Sequence, residues 1–376
     1  MAPEAALSTL HQAAKAIPSD ERLKFTGSNG FHVELRRRVE AYFRTTGQRQ
    51  RDCPRMYLKT AIVIGWFVTS YVLLVFWAEA WWQAVPLTLS LGLAMSAIGF
   101  NIQHDGSHHA YSDRSWVNRL AALSLDLIGV SSFVWHWTHN VVHHSYVNIT
   151  GHDTDIDLGP LARLSPHQKR RVFHRYQQWY IWPLYCLFTI KWHLFDDFFD
   201  VLSGRIGSHR VRRLGLRDRV AFLGGKAISF SLTFGVPLLR HPLGHVLLYY
   251  VMVSCVLGFT LSVVFQMAHC VEEAAFPLPQ GKPGRIETAW AVHQVQTTVN
   301  FSRRSWLAAW FLGGLNFQIE HHLLPRVCHV NYPELSRLVE ETCREFGVRY
   351  AVHESFGAGL ASHYRWLRRM GNPDLM

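Results

Sequence analysis

Charge is scarce in this chain. Only 17% of its 376 residues are Asp, Glu, Lys or Arg, while 49% are hydrophobic and 13% aromatic. That balance excludes a disordered protein and is apolar for a soluble one. Cysteine is also sparse: Cys53, Cys186, Cys255, Cys270, Cys328 and Cys343 are scattered, with no CxxC pair. A disulfide scaffold and a thiolate zinc site are therefore excluded. Residues 1–22 have no apolar run, so no cleavable signal peptide is expected. No internal repeat or low-complexity tract is present. Acidic residues are outnumbered, 27 against 38 basic ones, for a net charge of +11. A basic, apolar chain fits either a nucleic-acid binder or a membrane protein, and the placement of charge decides between them.

Four apolar stretches approach the roughly 20 residues that a bilayer span requires. They are 61–78, 84–101, 220–239 and 246–268. Each is apolar around the whole helix and not along one face, which separates them from buried helices of a soluble fold. Lys226 lies near the start of the third and is expected to snorkel towards the interface. The link between the first two spans has no Lys or Arg, and the link between the last two has only Arg240. The remaining basic residues lie before 61, between 101 and 220, or after 268. The excess of Lys and Arg in cytoplasmic segments then predicts two hairpins dipping into the membrane from the cytoplasmic side. Basic runs at 36–38, 169–171 and 210–213 flank the spans, where anionic headgroups are the nearer partner, so no nucleic acid is expected.

The predicted fold class is all-α and integral to a membrane: four spans in two hairpins under a cytoplasmic helical cap. Residues 1–60 form a cytoplasmic N-terminal region with an amphipathic helix (Leu35, Val39, Tyr42, Phe43) expected at the membrane interface, and 61–376 the membrane domain. The aromatic-rich segment 176–195 is expected to lie on the membrane surface. Residues 333–346 read as a second amphipathic helix, with Leu335, Leu338, Val339, Thr342 and Phe346 on one side.

What the chain has in abundance is histidine, 23 residues, concentrated in three clusters. His104-Asp-Gly-Ser-His108-His109 follows the second span, His139-Asn-Val-Val-His143-His144 comes next, and Gln318-Ile-Glu-His321-His322 lies near the C-terminus. His269 closes the fourth span. On a helix, i and i+4 share a face, so His104 with His108 and His139 with His143 each aim two imidazoles at one centre. The adjacent His109 and His144 are rotated by about 100° and can serve a second metal. Three converging clusters supply too many nitrogens for one tetrahedral zinc and suit two metals with open positions. A histidine-rich transporter is disfavoured, because the histidines sit at span ends and not at mid-membrane.

The order HDGSHH, HNVVHH, QIEHH resembles the membrane fatty acid desaturase family, in particular its front-end and bacterial acyl-lipid branch. Further points of resemblance are Asn140, the Asp153–Asp157 stretch, Phe265–His269, His293-Gln294 with Thr297, Thr298, Asn300 and Phe301, and Asn316-Phe317. The resemblance implies a nonheme centre of two iron ions cycling between Fe2+ and Fe3+, with O2 as co-substrate. Carried over by position, the ligands are His104, His108, His109, His139, His143, His144, His269, His321 and His322. The third box opens with Gln318 where some relatives have histidine. Asp105, Asn140, Asp155, Asp157, Gln318 and Glu320 suit roles around the ligands, as does Asp153, because a ligating imidazole commonly donates its other N–H to a carboxylate or carbonyl. His136, His152 and His293 are read as structural or supporting. The implied reaction is O2-dependent desaturation of a fatty acyl chain held on a lipid, CoA or carrier protein. The alternative on the same scaffold is a hydroxylase or acetylenase; a hydroxylase of alkanes, sterols or carotenoids is further off. About 60 residues before the first span are too few for a fused cytochrome b5 domain. Electrons are then expected from a separate ferredoxin, or from cytochrome b5 with its reductase. The expected location is a bacterial inner membrane in preference to endoplasmic reticulum, with the active site on the cytoplasmic side.

Overall fold

A computed structural model describes residues 23–279 and 284–372. The chain is mostly helical. Among the described residues four helices are long and apolar enough to cross a membrane. They are α2 (Pro54–Phe76), α3 (Trp81–Ser107), α7 (Leu216–Leu238) and α8 (Leu243–His269), with α1 (Gly30–Thr46), α4 (Ser115–Leu127), α5 (Ser132–Tyr146) and α6 (Gln177–Lys191) between or before them. The C-terminal part adds α9 (Trp290–Gln296), α10 (Gln318–Leu323), α11 (Tyr332–Glu345) and α12 (Phe356–Gly371). Among the described residues strand is confined to three two-residue pairs: Lys24–Phe25 with Arg285–Ile286, Arg205–Ile206 with His209–Arg210, and Asn300–Phe301 with Val352–His353.

The long helices start earlier or end later than the apolar runs. α2 begins at Pro54, whose fixed φ and missing N–H suit a first helical turn. α3 carries its apolar run through to the first histidine box by way of a π-helical stretch, Ile98–Gln103. α8 has 27 residues, so it is about 40 Å long. It packs against both α3 and α6. A Cβ at Gly92 would come within 2.7 Å of Val256, so glycine is what allows α3 to approach α8 so closely.

Three expectations change. The N-terminal amphipathic helix α1 does not keep its apolar face for a membrane. Phe31, Leu35, Val39 and Phe43 are buried against Leu335, Val339 and Cys343 of α11, because two amphipathic helices each cover the other's stripe. In the same pair Phe346 stays exposed and meets the ring of Phe31 edge-on, at 5.8 Å. The aromatic segment α6 is not a bare surface helix either: Ile181, Tyr185 and Thr189 are buried, and Thr189 Oγ1 donates to the Ser254 carbonyl of α8 at 2.8 Å. Lys226 does not snorkel. It is buried, and its ammonium donates to Asp197 Oδ2 (2.7 Å), the Gly129 carbonyl (2.8 Å) and the His193 carbonyl (3.1 Å). A carboxylate inside the protein holds it better than the interface would, since a buried ammonium needs a paired anion.

Candidate metal centre

Eight of the nine expected ligands come together. His104 and His108 stand at the end of α3, His139, His143 and His144 on α5, His269 on the last residue of α8, and His321 and His322 on α10. All eight are buried. His104, His108, His139 and His321 form one set; His143, His269 and His322 form another. Within each set the ligating atoms lie within 4.8 Å of one another, and His144 joins His321 and His322 between the two.

Local backbone explains the aim of each side chain. Both HxxxHH boxes adjoin π-helical backbone, Ile98–Gln103 before the first and His136–His143 through the second. Such wide turns recur at functional sites, where they re-aim side chains that a regular helix would point elsewhere. Here they leave His139 and His143 stacked, with ring centres 5.2 Å apart and planes 17° from parallel. The third box is brought up by the turn at Gly313. Its φ of 60° and the 2.0 Å that a Cβ would leave to the Phe100 carbonyl both require glycine.

The three-histidine set is anchored on its far side. His143 Nδ1 donates to Asp153 Oδ1 (3.2 Å), with Asp155 Oδ2 at 3.4 Å. His322 Nδ1 donates to Gln294 Oε1 (2.8 Å), and His269 Nδ1 to the Thr297 carbonyl (3.3 Å). Each acceptor fixes its ring's tautomer, leaving three Nε2 lone pairs facing one another. The amide of Gln318 touches that same side, 3.0 Å from His269 Nε2 and 3.3 Å from His322 Nε2. In the four-histidine set and His144 beside it the Nε2 atoms also converge: His104 to His139 at 3.2 Å, His144 to His139 at 3.3 Å and His321 to His144 at 2.9 Å. Among the described residues, Nδ1 of His139, His144 and His321 and Nε2 of His108 have no hydrogen-bond partner. Burial keeps His321 and His322 well below the usual imidazole range, and neutral imidazole is the ligating form. Converging imidazole lone pairs fit metal cations, and eight imidazoles in two adjoining sets fit a pair of metals.

The ninth residue, His109, is not part of the cluster. It is exposed, has a φ of 58° and belongs to neither set. The helix ends at Ser107, so the 100° rotation assumed for a continuing helix does not apply. The supporting residues also sort differently from expectation. Asp155 approaches His143, and Gln318 meets two ligand nitrogens. Asn140 Nδ2 donates to the Ser107 carbonyl (2.6 Å), tying the second box to the end of the first. Asp157 is exposed and caps its own turn through the Gly159 N–H (2.9 Å), so it has no place at the centre. Glu320 points away from the imidazoles: Asn300 and Tyr350 each donate to it at 2.7 Å. Burial, working against those two bonds, pushes its carboxyl up to about 7. Asp105 likewise meets no box histidine and accepts from His329 Nδ1 at 2.9 Å. His136 is exposed, while His152 and His293 are buried outside both sets, with their rings tilted against Tyr146 and Phe25 respectively. Sequence reasoning missed His329 and Lys59 altogether, and named Gln294 without a role; no spacing rule links them to the boxes.

A sequence profile of the family described as fatty acid desaturase matches residues 79–353, the stretch that holds all three boxes and His269. The chain belongs to the fatty acid desaturase family. An sn-1 linoleoyl-lipid 6-desaturase of Synechocystis sp. is 38% identical over 93% of this chain and 98% of its own length. One of the same name from Arthrospira platensis is 39% identical, over 94% and 96%. An acyl-lipid (8-3)-desaturase of Physcomitrium patens is 36% identical over 91% of this chain and 72% of the longer relative. This desaturase is thus an oxidoreductase, and its relatives' names favour desaturation over the hydroxylase or acetylenase alternative.

Proposed function

We propose that the chain introduces a double bond towards the carboxyl end of a fatty acyl chain carried on a membrane lipid, using two irons and O2. The observation that carries this reading is the two-set convergence of eight buried imidazoles, seven of them with Nε2 directed inwards or anchored for ligation, in a chain of this family. His104, His108, His139 and His321 would hold one iron, His143, His269 and His322 the other, with His144 between them. The Gln318 amide lies against His269 and His322 of the second set. Reduced iron with open positions supplies the O2 activation that no side chain can, and so the means of removing hydrogen from an unactivated CH2. What the protein supplies is position: three anchored tautomers, exclusion of water by burial, and a route for the acyl chain. An apolar cavity of about 100 Å³ runs between α2, α3, α6, α7 and α8, lined by Leu91, Met95, Ile128, Val130, Val253 and Leu257 among others. Ile128 and Val130 pack with Trp135 and Trp192. Trp135 in turn stacks on His139, with ring centres 4.5 Å apart. This cavity would take part of the hydrocarbon tail.

The acyl-lipid substrate and front-end regiochemistry rest on the names of the relatives. A multi-pass topology with the centre on the cytoplasmic side rests on the near absence of Lys and Arg in the 79–83 and 240–245 links. The basic face would steer an acidic electron donor, a separate ferredoxin or cytochrome b5 with its reductase. A bacterial inner membrane agrees with the cyanobacterial relatives.

The test is expression in a host with a defined lipid pool and a matched donor, followed by analysis of fatty-acid methyl esters. A new unsaturated species is expected, together with its loss in His143→Ala and His321→Ala. An unchanged profile from folded, iron-loaded protein would refute the assignment; a hydroxylated product would move it to the alternative.

A further inference from the structure

Three buried polar groups beside the metal centre have no part in ligation. Lys59 lies in α2, His329 in the loop after the third box, and Asp105 between His104 and His108. Their relative exposures are 4%, 2% and 2%. Lys59 Nζ is 2.8 Å from His329 Nε2, and His329 Nδ1 is 2.9 Å from Asp105 Oδ2, which also accepts from the His329 backbone N–H at 3.3 Å. The chain has one direction. An ammonium has only donors, so Lys59 donates to Nε2; the ring proton then sits on Nδ1 and is given to a carboxylate. A lysine five residues into a span could reach water by snorkelling, yet this one turns inwards, over the Trp310 ring at 5.4 Å. Ionisable groups buried in a span are costly and tend to be kept for a purpose. The same residues do not make a third metal site, although Asp105, Cys328 and His329 lie close enough together. Both ring nitrogens of His329 are engaged, and a cation already stands at one of them.

What the chain joins gives its purpose. Asp105 shares a helical turn with His104 and His108, and His329 follows His322 by seven residues. The rings of His104 and His108 lie 4.3 and 4.9 Å from that of His321. In this set Nδ1 of His139 and of His321, and Nε2 of His108, have no hydrogen-bond partner among the described residues. We infer that Lys59, His329 and Asp105 are positioning residues for the four-histidine set, locking the backbone of the first box against that of the third where direct anchors to the rings are missing. This rests on the two-iron reading above.

The test is metal content and spectroscopy on the purified full-length protein. Wild type is expected to hold two irons per chain with the Mössbauer signature of a coupled pair; fewer than two would overturn the two-iron reading itself. Lys59→Met keeps the length and removes the donor. It is expected to weaken one iron by about 10–100-fold, the usual effect of losing an outer partner, leaving near one iron per folded chain and an uncoupled signature. Lys59→Arg is expected to restore the second iron. If Lys59→Met does not accumulate, His329→Gln is read in the same way. Two irons with a wild-type spectrum in these variants, or equal loss of both irons from a chain that still melts cooperatively, would overturn the inference.

Discussion

Two ways of holding an imidazole sit side by side in this protein. His143, His269 and His322 each donate their far nitrogen to a dedicated acceptor: a carboxylate, a backbone carbonyl and an amide oxygen. His139 and His321 of the four-histidine set, and His144 between the two sets, have no such acceptor among the described residues. The first set is oriented before any metal arrives. The second converges through its backbone, on the π-helical segments and the packed turn at Gly313. Preorganisation within one centre need not be uniform. A set with fixed tautomers is expected to load metal first and to keep it longer, because less ordering is left to be done on binding.

Several experiments would break or sharpen that contrast. The largest effect is expected from losing a ligand. His143→Ala and His321→Ala should each take desaturated product below detection, while iron analysis shows which set lost its ion. Removing all metal with a chelator should lower the thermal midpoint clearly, because the converging lone pairs of both sets are then buried without a partner; calorimetry checks this. Asp153→Ala strips the carboxylate from His143 and should weaken the anchored iron by about 10–100-fold, read by competition with a chelator. Gln294→Leu should act in the same direction and more weakly, because Gln294 is neutral, with Gln294→Glu closer to wild type. At the small end, His109→Ala should leave iron stoichiometry and product yield unchanged. A loss of iron there would return His109 to the ligand set and undo the division drawn here.

The same contrast shows what could be read from the chain and what could not. The i,i+4 spacing marked His104 with His108 and His139 with His143, since both members of each pair ride on one stretch of helix. It misplaced His109, because the helix stops at Ser107 and the next residues turn through a positive φ. Carboxylates near a box in sequence were poor guides. Asp157 faces solvent, Glu320 serves Asn300 and Tyr350, and Asp105 serves His329, 224 residues away. Gln294 reaches His322 across 28 residues, and Lys226 finds Asp197 across 29. Neighbours in sequence cannot reveal such partners, because which side of a turn a carboxylate faces is set by what packs there.

By itself the sequence determined the apolar stretches, whose length and all-round hydrophobicity answer to the thickness of a bilayer, and the histidine spacing, which answers to the helical repeat. Both are local periodicities, written in consecutive residues. Only the tertiary structure decided which eight imidazoles meet, which of them are anchored, and that Lys59 and Lys226 turn inwards. Those outcomes depend on contacts between segments far apart in the chain, where the cost of burying a charge or a polar nitrogen is settled by whatever partner the packing brings.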